Sequence, residues 1–122
     1  MPTVAQLLLP LVGFSLISVT AAAQDAEVKF RLAQDPKNIQ GCTNLDAAFT
    51  RVHTFTLKGG KAEIKSAGGV DDDMKMVRPN VYATEFALAG ARLDVVADLA
   101  ATPRSLTITE KNRGCKWHGV PE

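Results

Sequence analysis

The feature that most constrains the fold is an alternating stretch around two glycines, RVHTFTLKGGKAEIKS (residues 51–66). Before the glycines, β-branched and aromatic residues are frequent, and after them charged residues alternate with alanine and isoleucine. Alternation of this kind places apolar side chains on one face of a strand and polar side chains on the other. Gly59-Gly60 can supply the positive φ angles of a tight turn. The pattern therefore predicts a β-hairpin with one solvated face.

Similar short segments occur along the rest of the chain. EVKFRL (residues 27–32) alternates in the same way, and VYATEFALAGARLDVVADLA (residues 81–100) predicts a second hairpin around Ala89-Gly90. Leucine and alanine are frequent in that second stretch, so an amphipathic helix is the competing prediction. Strict alternation and the glycine favour strands. With residues 105–112 and 115–120, the sequence predicts about seven short strands separated by turn residues.

One short helix is expected in CTNLDAAF (residues 42–49). Thr43 is the predicted N-cap, and Asp46 three residues later makes an imperfect capping box. Together the elements predict an all-β fold, a small antiparallel barrel or sandwich with this one helix. A barrel of this size fills its interior with side chains, so a large ligand cavity is not expected.

The beginning of the chain has the layout of an export signal. Residues 1–24 carry no charged side chain, and the apolar stretch at residues 6–20 is followed by small residues at Ala21 and Ala23. This order is typical of a secretory signal peptide cleaved after Ala23, although no lysine or arginine precedes the apolar stretch. An uncleaved membrane anchor is the alternative.

We therefore expect residues 1–23 to be a signal peptide and residues 24–122 to form a single small β domain. The expected location is periplasmic or secreted, with no stable membrane anchor after cleavage. A mature chain of about a hundred residues is long enough for one modest hydrophobic core.

An exported chain enters an oxidising compartment, where paired cysteines form disulfides. The two cysteines, Cys42 and Cys115, stand 73 positions apart (115 − 42), and a loop of that length contributes about 4–5 kcal/mol in the chain-entropy account. The alternatives are a free or intermolecular thiol, or a metal site that joins Cys115 to His118 and His53. Structural zinc prefers closely spaced cysteine pairs, which favours the disulfide. Trp117 is expected to pack beside it on the same strand face.

The charge balance bears on the class of partner. With 14 basic and 13 acidic residues the net charge is +1, whereas binding to nucleic acid phosphates or to an anionic membrane surface depends on a strong basic excess. Neither is expected as a partner. The sequence also has no glycine-rich phosphate loop and no motif for a cofactor.

The sharpest polar cluster is the run of aspartates at residues 71–73. Three adjacent carboxylates are compatible with calcium, but the spacing of a calcium-binding EF-hand loop is absent, so a solvated loop is favoured. We expect a partner-contact loop within residues 67–80, with a second contact loop at residues 35–40. The candidate contact residues are Asp71, Asp72, Asp73, Lys75 and Arg78.

Catalytic signals are weak. His53 shares a predicted strand face with Phe55 and Leu57, which indicates a core or rim histidine. No G-x-S-x-G nucleophile motif occurs, and Ser66 and Ser105 lie at a predicted strand end and a turn. The protein is therefore not expected to be an enzyme.

The favoured function is an exported, non-enzymatic binding or accessory module of the cell envelope or secretions. An unknown protein partner is favoured over a small molecule. One alternative is a structural or assembly subunit that pairs through an edge strand, and another is a small hydrolase. In outline the chain is similar to several secreted bacterial inhibitors and accessory proteins, but such a likeness of architecture does not define a function.

Overall fold

A computed structural model describes residues 24–66 and 71–122 of the chain. Within these residues, eight antiparallel strands form one closed barrel in which each strand pairs with the next and the last returns to the first. The strands are β1 (Ala26–Gln34), β2 (Val52–Lys58), β3 (Lys61–Ser66), β4 (Asp71–Arg78), β5 (Val81–Leu88), β6 (Ala91–Asp98), β7 (Ser105–Glu110) and β8 (Cys115–Pro121). The predicted signal peptide, residues 1–23, lies outside the described residues.

The prediction of a small antiparallel β fold is confirmed, and the architecture is a barrel. The extra strand relative to the sequence prediction is β4, so the prediction of a loop across residues 71–78 is wrong. Met74 is the one buried residue of this strand, and the alternation that identifies the other strands is therefore missing. Its backbone pairs with β3 between Lys65↔Asp71 and Ala62↔Met74, and the first of these pairs joins opposite charges across the strands.

Both predicted hairpins are confirmed. Gly59-Gly60 joins β2 to β3 with φ angles of 59° and 81°. Ala89-Gly90 joins β5 to β6 with φ angles of 52° and 82°. Positive φ at both central residues gives the turn whose twist matches that of the flanking strands. The second stretch is therefore a pair of strands, and the competing helix is excluded.

The barrel interior is filled by the apolar face of each strand. Phe30 and Phe55 are fully buried, and burial of each side chain contributes about 1.5–3 kcal/mol. The inward residues of β6 and β7 are buried in the same way, as are those of β1. They are Val28, Phe30, Leu32, Leu93, Val95, Ala97, Leu106 and Ile108.

The predicted short helix is present as α1 (Thr43–Phe49), directly after a 3₁₀ turn at Gln40–Cys42. Leu45 and Phe49 are buried in the core cluster. The predicted capping box is wrong, because the 3₁₀ turn runs straight into the helix and Cys42 occupies the cap position. The Thr43 hydroxyl donates instead to the Gln40 carbonyl at 2.9 Å. No helix among the described residues is long and apolar enough to cross a membrane.

Candidate functional site

The candidate contact residues lie on both faces of β4. Asp72 pairs with the buried Ile64 and therefore points inward, where it is half-buried. Asp71 and Asp73 point outward and are exposed. The Lys61 ammonium approaches Asp73 at 3.9 Å, and no described residue forms an ion pair with Asp71 or Asp72. The three carboxylates thus do not converge on one point.

The pairing between β4 and β5 is short. It comprises Lys75↔Ala83, Met76↔Tyr82 and Arg78↔Val81, with a bulge in the register. Beyond Ala83, residues 84–88 of β5 pair with β6 alone among the described residues, and residues 71–74 of β4 pair with β3 alone. These two unpaired edges, residues 71–74 and 84–88, are called the seam below.

The register shows which side chains would meet if the pairing continued. If the register at Lys75↔Ala83 continued, Asp73 would stand opposite Glu85 on the outer face and Asp72 opposite Phe86 on the inner face. Like charges directly opposite each other destabilise a strand pair. A carboxylate facing an aromatic ring inside the barrel loses hydration without a partner. Continued pairing would therefore be unfavourable above all on the inner face, because Glu85 already pairs opposite Asp94 on β6, where Lys111 bridges the two carboxylates.

Burial differs between β5, which borders the seam, and β6, which is paired on both sides. The inward residues Thr84 and Phe86 of β5 are half-buried, whereas their partners Val95 and Leu93 on β6 are fully covered. All four side chains point to the same interior. The missing cover on β5 is therefore the strand pairing that β4 does not supply.

The outer face of β5 carries a balanced charge cluster. The Glu85 carboxylate accepts hydrogen bonds from Arg92 and Lys111, each at 2.8 Å, and Lys111 also lies 3.4 Å from Asp94. The hydrogen bond from Lys111, followed by the one from Arg92, lowers the pKa of Glu85 to about 2. The pKa of Lys111 is raised by the same contact. Glu85 therefore stays ionised, and its charge is compensated within the cluster.

A shallow cavity of about 160 Å³ lies beside this cluster, lined by Glu85, Phe86, Ala87 and Arg92. Binding pockets for small molecules usually have volumes of about 300–1,000 Å³. An apolar cavity of about 150 Å³ holds one benzene molecule. The cavity is therefore of the size of a single side chain.

Two apolar side chains extend the surface towards the turn between β4 and β5. Met76 and Val77 are 60% and 57% exposed. Lys75 and Arg78 flank them and are also exposed. This end of β4 therefore presents apolar and basic groups, while its first half presents carboxylates.

The second predicted contact loop, residues 35–40, is attached to β8. The Asn38 side-chain amide donates to the Lys116 carbonyl at 2.9 Å, and the Lys116 backbone N–H donates to the Asn38 side-chain oxygen at 2.8 Å. The Asp35 backbone N–H donates to the same Lys116 carbonyl at 2.9 Å. Ile39 is exposed beyond these contacts. This loop lies against β8, the strand four positions around the eight-stranded barrel from β4.

The two cysteines form the predicted disulfide between Cys42 and Cys115. It joins the residue before α1 to the first residue of β8. Trp117 points inward beside Cys115, as predicted, and its ring lies 4.8 Å from that of Phe49. The indole Nε1 donates to Asp46 Oδ1 at 2.8 Å. This region contributes to stability through covalent and packing contacts.

His53 is buried, as the sequence predicts. Its Nε2 contacts the Phe49 carbonyl at 3.0 Å, and its Nδ1 contacts the Ser66 hydroxyl. Because a carbonyl can only accept, Nε2 carries the hydrogen and Nδ1 accepts from Ser66 in the neutral ring. Burial, the largest effect, lowers the pKa of His53. The pair has the atoms of a nucleophile and a base, but among the described residues no carboxylate bonds the ring.

The residues of the alternative metal site are separated in space. His118 lies on the outer face of β8, where its Nδ1 contacts the Thr107 hydroxyl at 2.8 Å. Cys115 points inward into the disulfide, so the C-x-x-H residues do not face each other. Within residues 24–66 and 71–122, no group of three or more histidine, cysteine, aspartate or glutamate side chains has a metal-binding arrangement.

Glu110 is a buried carboxylate that the sequence did not single out. It accepts backbone hydrogen bonds from Asn112 at 3.0 Å and from Arg113 at 2.8 Å. Both donors belong to the turn between β7 and β8. The carboxylate is therefore satisfied by the turn that it stabilises, and it is not available to a ligand.

Comparisons with family models, with curated proteins and with solved structures found no match to this chain. The sequence located the residues of β4 but placed them in a loop. It missed the seam, because the interrupted pairing depends on which residues stand opposite each other on β4 and β5.

Proposed function

We propose that this protein is an exported, non-enzymatic binding module that holds a partner protein at the surface of β4 and β5. The observation that carries the proposal is the seam, an interruption of strand pairing in an otherwise closed barrel. Unpaired strand edges are sites at which a protein binds another chain. Of the candidate contact residues, Asp71, Asp72 and Asp73 border it. Lys75 and Arg78 lie in the adjoining part of β4, which is paired with β5.

The composition of this surface supports a protein partner. Asp71 and Asp72 form no ion pair with any described residue, and Met76 and Val77 are exposed beyond them. Exposed apolar side chains beside charged ones are common at protein interfaces. The cavity of about 160 Å³ is small for a free small-molecule ligand. A protein segment, which brings its own side chains, fits the surface better.

Export is part of the proposal. The Cys42–Cys115 disulfide is compatible with an oxidising compartment, and the apolar segment before Gln24 suits a cleaved signal. Intact mass of the protein from its native source tests this part. A chain beginning at Gln24, alkylated at both cysteines only after reduction, is the expected result. A retained residue 1 or thiols that alkylate without reduction would contradict export.

The assembly-subunit alternative uses the same surface. Because the barrel is closed, the seam is the edge that the described residues offer for pairing between subunits. A seam bordered by aspartates repels an identical seam, which favours a different partner over a second copy. Sedimentation over a wide range of concentrations separates the two functions. A monomer supports the binding module, and concentration-dependent growth supports the subunit.

The hydrolase alternative rests on the contact between His53 and Ser66. It requires the Ser66 hydroxyl to attack a substrate with His53 as the base. A fluorophosphonate probe tests this directly, since it labels activated serines. Labelling of Ser66 that is lost in His53→Gln would establish the hydrolase and remove the non-enzymatic proposal. Absence of labelling on folded protein is the outcome we expect.

Site-specific cross-linking tests the binding function itself. A photo-reactive amino acid replaces Asp73 on β4 in cells that make the protein, and the matched control carries it at Lys116 on β8. Both positions are exposed and outward. We expect one discrete adduct at position 73 that the control lacks, and mass spectrometry identifies the partner. Equal adducts at both positions, or none at position 73, would remove the proposal.

A further inference from the structure

The seam also indicates what kind of partner segment it binds. We propose that the partner contributes an extended, basic strand, which adds to the open edge of β5 along residues 84–88 and faces the aspartates of β4. This inference rests on the proposed function and specifies the chemistry of the partner. Three features of the seam support it, namely its backbone, its charge and its side-chain spacing.

The backbone of β5 is prepared for strand addition. Residues 84–88 are held in extended conformation by pairing with residues 91–95 of β6. In a strand, the N–H and C=O groups of every second residue point to the same edge. The groups that point away from β6 have no strand partner among the described residues. An extended segment that reaches this edge gains main-chain hydrogen bonds there.

Charge selects a basic segment. Asp71, Asp72 and Asp73 face the seam from β4, with Lys65 opposite the first and Lys61 at 3.9 Å from the third. An exposed pair at that distance is weak. Across the seam, Arg92 and Lys111 already compensate Glu85 and Asp94. The uncompensated charge of the seam is therefore negative, and lysine or arginine on the incoming strand would neutralise it.

Side-chain spacing selects an alternating segment. Along β5, Thr84 and Phe86 point inward and Glu85 and Ala87 point outward. An added strand has the same period of two residues. Every second side chain would meet the half-buried Phe86. The alternate side chains would meet the outer aspartates, so apolar and basic residues in alternation fit best.

Synthetic peptides test this inference. The probe is a capped hexapeptide of alternating lysine and valine, added to the isotope-labelled full chain with its disulfide intact. We expect amide chemical-shift changes in residues 84–88 and 71–74, with saturation at a peptide concentration of about 1 mM or below. No change should occur in β8. Shift changes that are confined to another surface, or no binding, would overturn the inference.

Two control peptides separate strand addition from charge alone. The first alternates lysine with proline, which keeps the charge but cannot extend a strand pairing. The second alternates glutamate with valine, which keeps the ability to pair as a strand but reverses the charge. We expect either change to weaken binding by about tenfold or more. Equal binding of the lysine–proline peptide would show simple charge attraction and overturn strand addition.

A paired variant locates the charge requirement. Asp72→Asn with Asp73→Asn should weaken binding of the lysine–valine peptide by about tenfold. Asp98→Asn, at the far end of β6, should leave that binding unchanged. If the peptides do not bind but a partner still cross-links at position 73, strand addition is wrong and the proposed binding function remains. Absence of cross-linking at position 73 counts against the binding module itself, so the two failures are distinguishable.

Discussion

The indole nitrogen of Trp117 on β8 donates a hydrogen bond to Asp46 Oδ1 on α1 at 2.8 Å, between residues 71 positions apart. The same helix is preceded by Cys42, whose disulfide partner Cys115 lies two residues before the tryptophan. Phe49 at the end of the helix packs against the indole ring. One covalent bond, one hydrogen bond and one ring contact thus fix α1 to the last strand, at the end of the barrel where β1 leads into β2.

Removing the acceptor of that hydrogen bond is expected to destabilise the fold. Asp46→Ala leaves the Trp117 indole N–H buried without a partner, which costs about 1–3 kcal/mol. Urea denaturation monitored by tryptophan fluorescence measures the change. The matched control is Asp73→Ala, an exposed carboxylate that is 72% accessible, for which a change within about 0.5 kcal/mol is expected. Equal effects of the two substitutions would contradict the role of the hydrogen bond.

Removing the disulfide is expected to have a larger effect. The bond closes a loop of 73 residues, and its loss in Cys42→Ala with Cys115→Ala should lower the free energy of unfolding by about 4 kcal/mol. Urea denaturation with and without reductant provides the measurement. Reductant should destabilise the natural chain and leave the double variant unchanged. A natural chain that is insensitive to reductant would show that the bond contributes little.

Gly119 on β8 is expected to tolerate no side chain. A Cβ at this position would lie 2.1 Å from the Arg31 carbonyl oxygen and 2.7 Å from its carbon, so the backbone of β1 would have to move. Such overpacking costs about 3 kcal/mol, and Gly119→Ala should lower the midpoint of thermal unfolding accordingly. Gly41→Ala is the control, because its Cβ would meet the Arg113 side chain at 3.7 Å. A small effect at both positions would contradict the close approach of β1 and β8.

Much of the fold could be predicted from the sequence because local signals specify local structure. Glycine turns and strict alternation located both hairpins and the interior face of β5, and the cysteine count specified the disulfide. The contact between His53 and Ser66 also follows from the hairpin, because the two residues lie at equal distances on either side of the turn at Gly59-Gly60. These features depend on neighbours in the chain, where period and turn type suffice.

The features that sequence reasoning missed depend on residues far apart in the chain. β4 has a single buried residue, so its pairing with β3 is visible only once the barrel is formed. The seam depends on Asp72 and Asp73 standing where Phe86 and Glu85 would oppose them. The capping box failed because the 3₁₀ turn runs straight into the helix, and the Asp46 side chain accepts a hydrogen bond from Trp117 instead. In each case a tertiary contact overrides the local pattern.

The stability of the protein should depend on the protonation of His53. Its pKa is lowered in the folded state below the ordinary value of 6.5, first by burial and also by the nearby Arg51. The unfolded chain therefore binds the proton more readily, and the free energy of unfolding should decrease as pH falls below 6.5. The slope reaches at most about 1.4 kcal/mol per pH unit for one proton.

Urea denaturation between pH 7.5 and pH 4.5, a range of about three units chosen to bracket the ordinary histidine pKa, measures this slope. His53→Gln should remove it. His118→Gln, at the outward histidine of β8, should leave it in place. Glu85 has a pKa of about 2 in the folded protein and an ordinary value of 4.5, so its contribution to the slope begins only at the acidic end of this range. A slope that disappears in His118→Gln and persists in His53→Gln would contradict the assignment.

The seam makes a final prediction about amide exchange in the native protein. The amides of residues 84–88 that point away from β6 have no strand partner in the described chain, so they should exchange faster than the paired amides of β6.

Asp72→Val with Asp73→Thr removes the like-charge opposition to Glu85 and the carboxylate facing Phe86. This double variant should extend the pairing of β4 with β5, slow exchange in residues 84–88 and stabilise the fold by about 1 kcal/mol. The control Lys116→Thr adds a strand-favouring residue on β8 and should leave exchange at the seam unchanged. Equal and slow exchange on β5 and β6 in the natural chain would show that the edge is covered, and the open seam would then be wrong.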